Sequence, residues 1–312
     1  MRIGALCSDP DGWHVQDLLR AARQRHVNLV PLDYRTLTAQ VAPHDETILA
    51  SGVDLRELDV VFVRAMPAGS LEQVVFRMDA LHRLQERDIP VINPPRAIEC
   101  AVDKYLALAR LGALGLPVPR TVTCEQPDEA LEHFRTLNDL RGGPGVVVKP
   151  LFGSEGHGIA RIDQEDAARE LFQDLSERGS VFYLQEFIAH PGWDLRVLVF
   201  GEHVLACMRR HLNETNGDIG TEWRTNLALG GTAEAVEVDE ATKELALNAS
   251  RAIGTEIAGV DLVPDESGSL QIVEVNAAPG WRGLTRACKL DIADRIVAFL
   301  ETRSKTGKGN ET

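Results

Sequence analysis

Basic residues are scarce in this sequence relative to acidic ones. The 312 residues include 33 Lys and Arg against 47 Asp and Glu, a formal net charge of −14. Such a chain lacks the basic face that attracts nucleic acids and anionic membranes, so we expect neither as a partner. No apolar run approaches the roughly 20 residues that span a bilayer, and the amino-terminal segment lacks the core of a secretory signal. These absences predict a cytoplasmic protein.

Motifs for several classes of enzyme are also missing. The five cysteines are scattered and form no CxxC pair, which argues against a disulfide framework or a zinc site. The nine histidines show no HxxxH or HExxH spacing, so no histidine metal site is predicted. No GxSxG occurs and no cysteine has an obvious partner, which argues against a hydrolase that uses a protein nucleophile.

Apolar runs and helical periodicities alternate along the first hundred residues. Strands are predicted at 2–6, 28–32, 59–63 and 89–93, with helices between them, which indicates a parallel sheet. A hydrophobic content of 44% can supply the cores of two or three domains. We predict domains at 1–97, 98–183 and 184–302, followed by a disordered tail at 303–312 that contains no apolar residue.

A glycine-rich loop follows the apolar run that ends at Lys149. Gly153, Gly156 and Gly158 give its backbone the freedom to bring N–H groups close to phosphates. The loop is neither a Walker loop, since no GK[ST] follows it, nor a dinucleotide fingerprint, since no helix does. Lys149 would point along the sheet toward phosphates under the loop. The alternative is a flexible hairpin tip.

A second signal lies in the hairpin pattern of residues 257–276. If Ser267 and Gly268 form a two-residue turn, Asp261 lies directly opposite Glu274, and Asn276 shares their face. Opposed carboxylates repel each other, and oxygen ligands select a hard cation such as Mg²⁺. A three- or five-residue loop would change this register, and an acidic hairpin on a solvated face is the alternative.

Basic side chains occur between these two features. They lie in the segments Asp194-Leu-Arg196, Arg209-Arg210-His211 and Arg224-Thr-Asn226. Each arginine alone would be an ordinary surface residue. Grouped between a glycine loop and a metal hairpin, they are candidates for clamping phosphate or carboxylate groups.

In order along the chain, these segments resemble the ATP-grasp superfamily, and within it the RimK-type α-L-glutamate ligases. The matching segments are Asp103-Lys104, VVVKPLFGSEGHGI, LQEFI with Asp194-Leu-Arg196, Arg209-Arg210, EWRTN with Gly230-Gly231, and AGVDLV with VEVNAAPGW. The segments MPAGSLEQVVFRMDALHRL and INPPRAIECAVDKY, with Trp281, resemble tetrahydromethanopterin:glutamate ligases. The resemblance implies an α/β fold of three domains: a Rossmann-like pre-ATP-grasp domain, a small central lid domain, and a carboxy-terminal domain with an antiparallel sheet.

The resemblance also implies roles for individual residues. The residues expected to bind ATP are Lys104, Lys149, Gly153, Ser154, Gly156, Gly158, Gln185, Glu186, Phe187, Asp194 and Arg224. Arg224 and Asn226 would approach the transferred phosphoryl group or the acceptor, and Arg209 or Arg224 would grip a carboxylate; these three are the expected catalytic residues. Asp261, Glu274 and Asn276 would hold two Mg²⁺ ions, for which Mn²⁺ can substitute.

The reaction implied is ATP-dependent carboxylate–amine ligation through an acyl phosphate. The expected substrates are ATP, L-glutamate and a carboxylate acceptor of the tetrahydromethanopterin kind, and the resemblance implies a homo-oligomer. A protein carboxy terminus or an amino-carrier protein is an alternative acceptor. A non-catalytic ATP-binding regulatory module is an alternative of another class.

Overall fold

The computed structural model describes residues 1–140, 142–153, 158–212, 223, 225 and 230–307, with only the backbone for 305–307. The chain divides into two compact units. The first comprises 1–98, 254–258 and 277–312, and the second comprises 99–253 and 259–276. No helix of the described ranges is long and apolar enough to cross a membrane.

The regular elements follow one another in a mixed order of strands and helices. In chain order they are β1 (Arg2–Cys7), α1 (Trp13–Gln24), β2 (Asn28–Asp33), β3 (Thr38–Ala42), β4 (Asp45–Ala50), β5 (Val53–Asp54), β6 (Val60–Val63), α2 (Leu71–Gln85), β7 (Val91–Ile92), α3 (Pro95–Val102), α4 (Lys104–Ala113), β8 (Thr121–Cys124), α5 (Pro127–Asp139), β9 (Val146–Lys149), β10 (Ala160–Ile162), α6 (Glu165–Glu177), β11 (Phe182–Glu186), β12 (Trp193–Phe200), β13 (His203–His211), β14 (Thr232–Ala235), α7 (Glu240–Ile253), β15 (Ile257–Pro264), β16 (Leu270–Asn276), α8 (Arg282–Cys288) and α9 (Ile292–Gly307).

The first unit is built on the parallel sheet that the apolar runs predict. Its strand order is β2-β1-β6-β7, and each neighbouring pair is parallel. Strands β1 and β6 are almost wholly buried, which is why they read as continuous apolar runs. Helix α1 packs against α9, which returns to this unit at the end of the chain. An antiparallel sheet of β3, β4 and β5 is an addition that the sequence analysis did not predict.

One sheet of the second unit carries a hydrophobic core on one face and the side chains of Lys149 and Gln185 on the other. The order is β10-β9-β11-β8, and every pair is antiparallel. Val146, Val148, Phe182 and Leu184 belong to a buried cluster with residues of α5 and α6. Because side chains alternate along a strand, Lys149 and Gln185 lie on the opposite face. The glycine loop follows β9 on that sheet.

The other sheet of the second unit has the order β14-β13-β12-β15-β16, and helix α7 contacts several of its strands.

Two expectations for the end of the chain need correction. Residues 277–302, predicted to belong with the carboxy-terminal domain, group with the first unit. The disordered tail was predicted from 303, yet α9 continues to Gly307. The three-domain division otherwise stays a prediction.

Candidate active site

The β15–β16 hairpin places two carboxylates opposite each other. Asp261 pairs with Glu274 and Gly259 with Asn276, the register that the sequence predicts. The predicted two-residue turn is wrong, because Asp265 and Ser269 close a loop of three residues with Gly268 at φ +84°. A β-bulge at Val273 restores the register, so that Leu262 faces Ile272 instead of Val273. Asp261, Glu274 and Asn276 therefore share one face.

A buried network of ion pairs surrounds Asp261. Arg196 donates to both Asp261 carboxylate oxygens, and Arg210 lies 3.1 Å from one of them. Arg210 also donates to both oxygens of Asp194, at 2.7 and 2.6 Å. The Thr225 hydroxyl donates to Asp194 at 2.6 Å. Burial alone would raise the pKa of Asp261, but Arg196 and Arg210 outweigh burial and hold it below its ordinary value.

Arg209 lies on the opposite face of this sheet. Asp194 pairs with Arg210 across β12 and β13, so the neighbouring residue points away from Asp261. Arg209 instead lies over the Trp193 ring, 4.5 Å from its centroid, and 3.4 Å from a Glu234 oxygen. Arg209, one of the two residues expected to grip a carboxylate, therefore lies away from the face of Asp261, whereas Arg196 and Arg210 contact it. Two consecutive strand residues cannot both face the site, and the sequence alone did not reveal which one does.

Two lysines lie near Glu274. The Lys104 ammonium donates to the carbonyl oxygens of Leu151 and Gly153, at 3.3 and 3.0 Å, which ties the start of α4 to the glycine loop. Lys149 donates to the Gln185 side chain at 2.7 Å. Burial lowers the pKa of Lys149 to about 8, assisted by Lys104 and opposed by Glu274 and Asp261. Burial lowers the pKa of Lys104 as well, while Glu274 opposes it. The negative charge of Glu274 thus acts on the pKa of both lysines.

The described part of the loop has two glycines with positive φ, Gly153 and Gly158. Gly158 has φ +73°, and a Cβ there would stand 2.9 Å from the Pro150 ring. Gly153 lies at the other end, where its carbonyl accepts from Lys104. Ser154 and Gly156, also predicted to bind phosphate, lie outside the described residues, as do Arg224 and Asn226.

Gln185, Glu186 and Phe187, which are among the residues expected to bind ATP, are buried at the end of β11. The Gln185 amide donates to Thr121 at 3.0 Å, and the Glu186 carboxylate accepts from the Arg120 backbone N–H at 3.0 Å. The carboxylates of Glu186 and Asp194, both of residues expected to bind ATP, are therefore engaged with protein groups. Phe187 is 8% exposed, and it directly follows the last residue of β11.

Three residues around Phe187 were missed by the sequence analysis. The Arg161 guanidinium stacks 3.9 Å from the Phe187 ring centroid, and Trp223 meets that ring edge-on at 5.7 Å. His190 Nε2 is 3.0 Å from the Trp223 carbonyl oxygen. Alternation could have revealed Arg161, because Ile162 belongs to the core and its neighbour must face the other way. No local pattern connects Trp223 with Phe187.

The donor set of the hairpin face fits a hard divalent cation. Two opposed carboxylates and an amide oxygen are ligands that Mg²⁺ accepts, and Asp261 would share its oxygens between that ion and Arg196. Among the described residues no group of three or more His, Cys, Asp or Glu is placed to hold a metal, and the hairpin face has two carboxylates with one amide. The nearby lysines suit the phosphates that commonly share such an ion.

Comparison with known protein families gives two matches that together span nearly the whole chain. Residues 1–98 match the RimK PreATP-grasp domain, and residues 101–300 match the RimK-like ATP-grasp domain. Tetrahydromethanopterin:alpha-L-glutamate ligase of Methanosarcina acetivorans is 31% identical, over 96% of this chain and 98% of that protein. A probable alpha-L-glutamate ligase of Alkalilimnicola ehrlichii is also 31% identical, over 99% and 98%.

Solved structures share the fold at low sequence identity. The ATP-grasp ligase PsnB complexed with its minimal precursor superposes with a TM-score of 0.76 at 22% identity, over 96% of this chain and 98% of that one. A RimK domain protein of Sphaerobacter thermophilus gives a TM-score of 0.71 at 21% identity, over 96% and 99%.

Proposed function

The chain belongs to the RimK-like ATP-grasp family of ATP-dependent ligases, and we propose that it adds L-glutamate to the carboxylate of a small organic acid. The relatives named tetrahydromethanopterin:alpha-L-glutamate ligase support a pterin-type cofactor as the acceptor. The observation that carries the proposal is the face shared by Asp261, Glu274 and Asn276. Lys104 and Lys149 lie close enough to this face for the charge of Glu274 to act on the pKa of both. A protein carboxy terminus or a carrier protein is the next candidate acceptor.

The chemistry follows from charge placed around a phosphoryl group. An acceptor carboxylate oxygen attacks the γ-phosphorus and ADP leaves. The glutamate amine then attacks the carbonyl carbon of the acyl phosphate, loses a proton, and phosphate leaves with the bonding electrons. Lys104 and Lys149 neutralise phosphate oxygens, and the glycine loop covers them, which excludes the water that would hydrolyse the intermediate. Bound at Asp261, Glu274 and Asn276, Mg²⁺ supplies Lewis-acid stabilisation of the same charge.

Several finer assignments belong to this proposal. They are the binding of two ions, replacement of Mg²⁺ by Mn²⁺, a homo-oligomeric state, a cytoplasmic location and the absence of a nucleic-acid partner. The roles given to Ser154, Gly156, Arg224 and Asn226 rest on the family pattern alone.

Glu274→Gln tests the proposed metal face. This change keeps the shape of the side chain and removes the negative charge that would bind the metal ion and that acts on both lysines. ADP formation should therefore fall at least about a hundredfold. The matched control is Glu266→Gln, which removes the same charge from the exposed turn of the same hairpin. Activity is measured as ADP released with ATP, Mg²⁺, L-glutamate and candidate acceptors, and mass spectrometry detects the glutamyl product. Near wild-type turnover by Glu274→Gln would contradict the proposed metal face.

ADP formation stimulated by another amino acid, and not by glutamate, would contradict the assignment of glutamate as the amine donor.

A further inference from the structure

The carboxyl ends of two neighbouring strands in the first unit lead into a cluster of aromatic and basic side chains. Strand β1 lies in the middle of the sheet, with β2 on one side and β6 on the other. The strand order therefore reverses direction between β1 and β6, which makes this place the topological switch point of the sheet. Open α/β sheets bind their ligands outside the carboxyl ends of the strands at such a point. Trp13 and His14 begin the helix after β1, and Arg64 directly follows β6.

A third segment of the same unit completes the cluster. The Arg64 guanidinium donates to the Ala278 carbonyl at 3.0 Å and lies 5.0 Å from the Trp281 ring centroid. Arg282 lies 5.5 Å from the ring centroid of Trp13. In the sequence, Ala278 follows the candidate metal ligand Asn276 after a single residue. We name Trp13, His14, Arg64, Trp281 and Arg282 the switch-point cluster.

The cluster combines a fixed part with an accessible part. Trp281 is 1% exposed, and its indole N–H donates to Asp17 at 2.9 Å, so its ring is held by the fold. Trp13 remains 38% exposed, and Arg282 is exposed as well. A guanidinium stacked on a ring keeps the N–H groups of its edge for a carboxylate. The accessible part therefore offers a flat apolar surface beside a cationic edge.

Two further observations point to a ligand in this cluster. His14 Nε2 is buried and has no hydrogen-bond partner within the described ranges. A Cβ at Gly280 would stand 3.4 Å from that nitrogen and 3.8 Å from an Arg64 nitrogen, so position 280 borders both groups and a glycine there adds no side chain beside them. Burial lowers the pKa of His14 to about 4, with Arg64 and Arg282 adding to the effect, so His14 is neutral near pH 7. Asp17 opposes this shift, and against its one negative charge the two guanidinium groups leave the cluster with a positive charge.

We propose that the switch-point cluster is the binding subsite of the acceptor: Arg64 and Arg282 hold a carboxylate of an aromatic organic acid, and its ring lies against Trp13. The inference rests on the proposed function, since it assigns where that ligase recognises its acceptor. L-Glutamate shares the carboxylate chemistry but has no ring, so it would leave the exposed surface of Trp13 unused. The chemical class is therefore an aromatic acid with at least two carboxylates, one held here and one left for activation.

Direct binding to the full chain without nucleotide tests the proposal. The probe is p-aminobenzoyl-L-glutamate, which has one ring and two carboxylates, and L-glutamate is the comparison ligand. Calorimetry should show that the wild type binds the probe at least about tenfold more tightly than L-glutamate. Arg282→Gln should weaken probe binding at least about tenfold, because a charge-assisted contact is lost. Trp13→Ala should weaken it in the same way.

The matched control is Arg23→Gln, which removes one exposed positive charge from the far end of α1. It should leave probe binding unchanged, and melting temperatures verify that every variant is folded. The proposal is overturned if the wild type does not bind the probe saturably, or if Arg282→Gln binds it as the wild type does. It is also overturned if Arg282→Gln weakens L-glutamate and probe equally. Failure of the ligation assay would remove the proposed function, whatever the probe does.

Discussion

Four charged side chains, two of each sign, share the buried face of β12, β13 and β15. Asp194, Arg210 and Asp261 are each less than 10% exposed, and Arg196 completes the set. Their attraction is offset by the cost of removing ions from water, so the intact set adds little net stability. Removing one member is different, because its partners then remain buried and charged. The set also holds Thr225, the described residue between Arg224 and Asn226.

Arg210→Gln should therefore be strongly destabilising. It leaves Asp194 and Asp261 with a single buried guanidinium, and we expect the free energy of unfolding to fall by about 3–5 kcal/mol. Arg209→Gln is the matched control, since the adjacent arginine makes a partly exposed pair with Glu234 and should contribute less than about 1 kcal/mol. Denaturant unfolding measures both. Equal losses would mean that the two arginines do not differ in burial as described.

The low pKa of Lys149 predicts how nucleotide affinity depends on pH. The ammonium group is charged below about pH 8 and loses its proton above it. If the charged form binds phosphate, apparent ATP affinity should fall about tenfold between pH 7 and pH 9, following the charged fraction. Lys149→Arg keeps its charge over this range and should show a flatter profile. Calorimetric titration with ATP at both pH values gives the two ratios. Parallel profiles would exclude Lys149 as the titrating group.

At the scale of the element, the β15–β16 hairpin shows why a correct contact can follow from an incorrect turn. Alternation and a turn signal predict that Asp261 faces Glu274. The three-residue loop shifts the register by one, and the bulge at Val273 shifts it back. Neither irregularity has a clear sequence signal, because Ser267-Gly268 suits both kinds of turn and Val273 is an ordinary strand residue.

Gly268→Ala tests the three-residue loop. At φ +84° an alanine is strained although no atom lies within 4 Å of its Cβ, so stability should fall by about 1 kcal/mol. Gly268→Asn should lose less, because asparagine tolerates the left-handed region. Thermal unfolding measures both losses. ADP formation well below the melting temperature should be retained, since the loop lies beyond the bulge from Glu274. A loss equal for both variants would contradict the left-handed turn.

Other elements were missed for an identifiable reason. Strand β3 is exposed at all five positions, and β5 has only two residues, so neither has the apolar run that marked β1 and β6. The end of α9 was predicted as a disordered tail because its last residues have no apolar side chains. Helical hydrogen bonding can continue beyond an apolar face, and α9 reaches Gly307.

At the scale of the whole molecule, the sequence predicts local elements better than their grouping. The predicted boundary at 97 lies beside the division at Ile98–Glu99. The return of residues 254–258 and 277–312 to the first unit was not predicted, because no local pattern records which earlier strand a late segment packs on. The same limit applies to Arg209 and Trp223, since a strand neighbour or a ring contact depends on pairing between distant residues. Motif residues such as Lys149 and Asp261 were found because their spacing is local.

One side chain, that of Asn93, hydrogen-bonds to both later segments of the chain that belong to the first unit, 254–258 and 277–312. The Asn93 amide nitrogen donates to the carbonyls of Ile257 and Ala277, and its oxygen accepts from the backbone N–H groups of Glu256 and Ile257. The side chain is 1% exposed and uses both donors and both acceptor positions. It therefore joins the start of β15 to the residue that follows β16.

This arrangement bears on how the protein ages chemically. Asparagine converts to aspartate when the backbone nitrogen of the next residue attacks its side-chain carbonyl and closes a succinimide ring. At position 93 the product would present oxygens that cannot donate to the Ile257 and Ala277 carbonyls, and both attachments would be lost. The next residue is Pro94, whose nitrogen carries no hydrogen, so the ring cannot form there. The amide that secures both segments is thus protected from deamidation by its own neighbour.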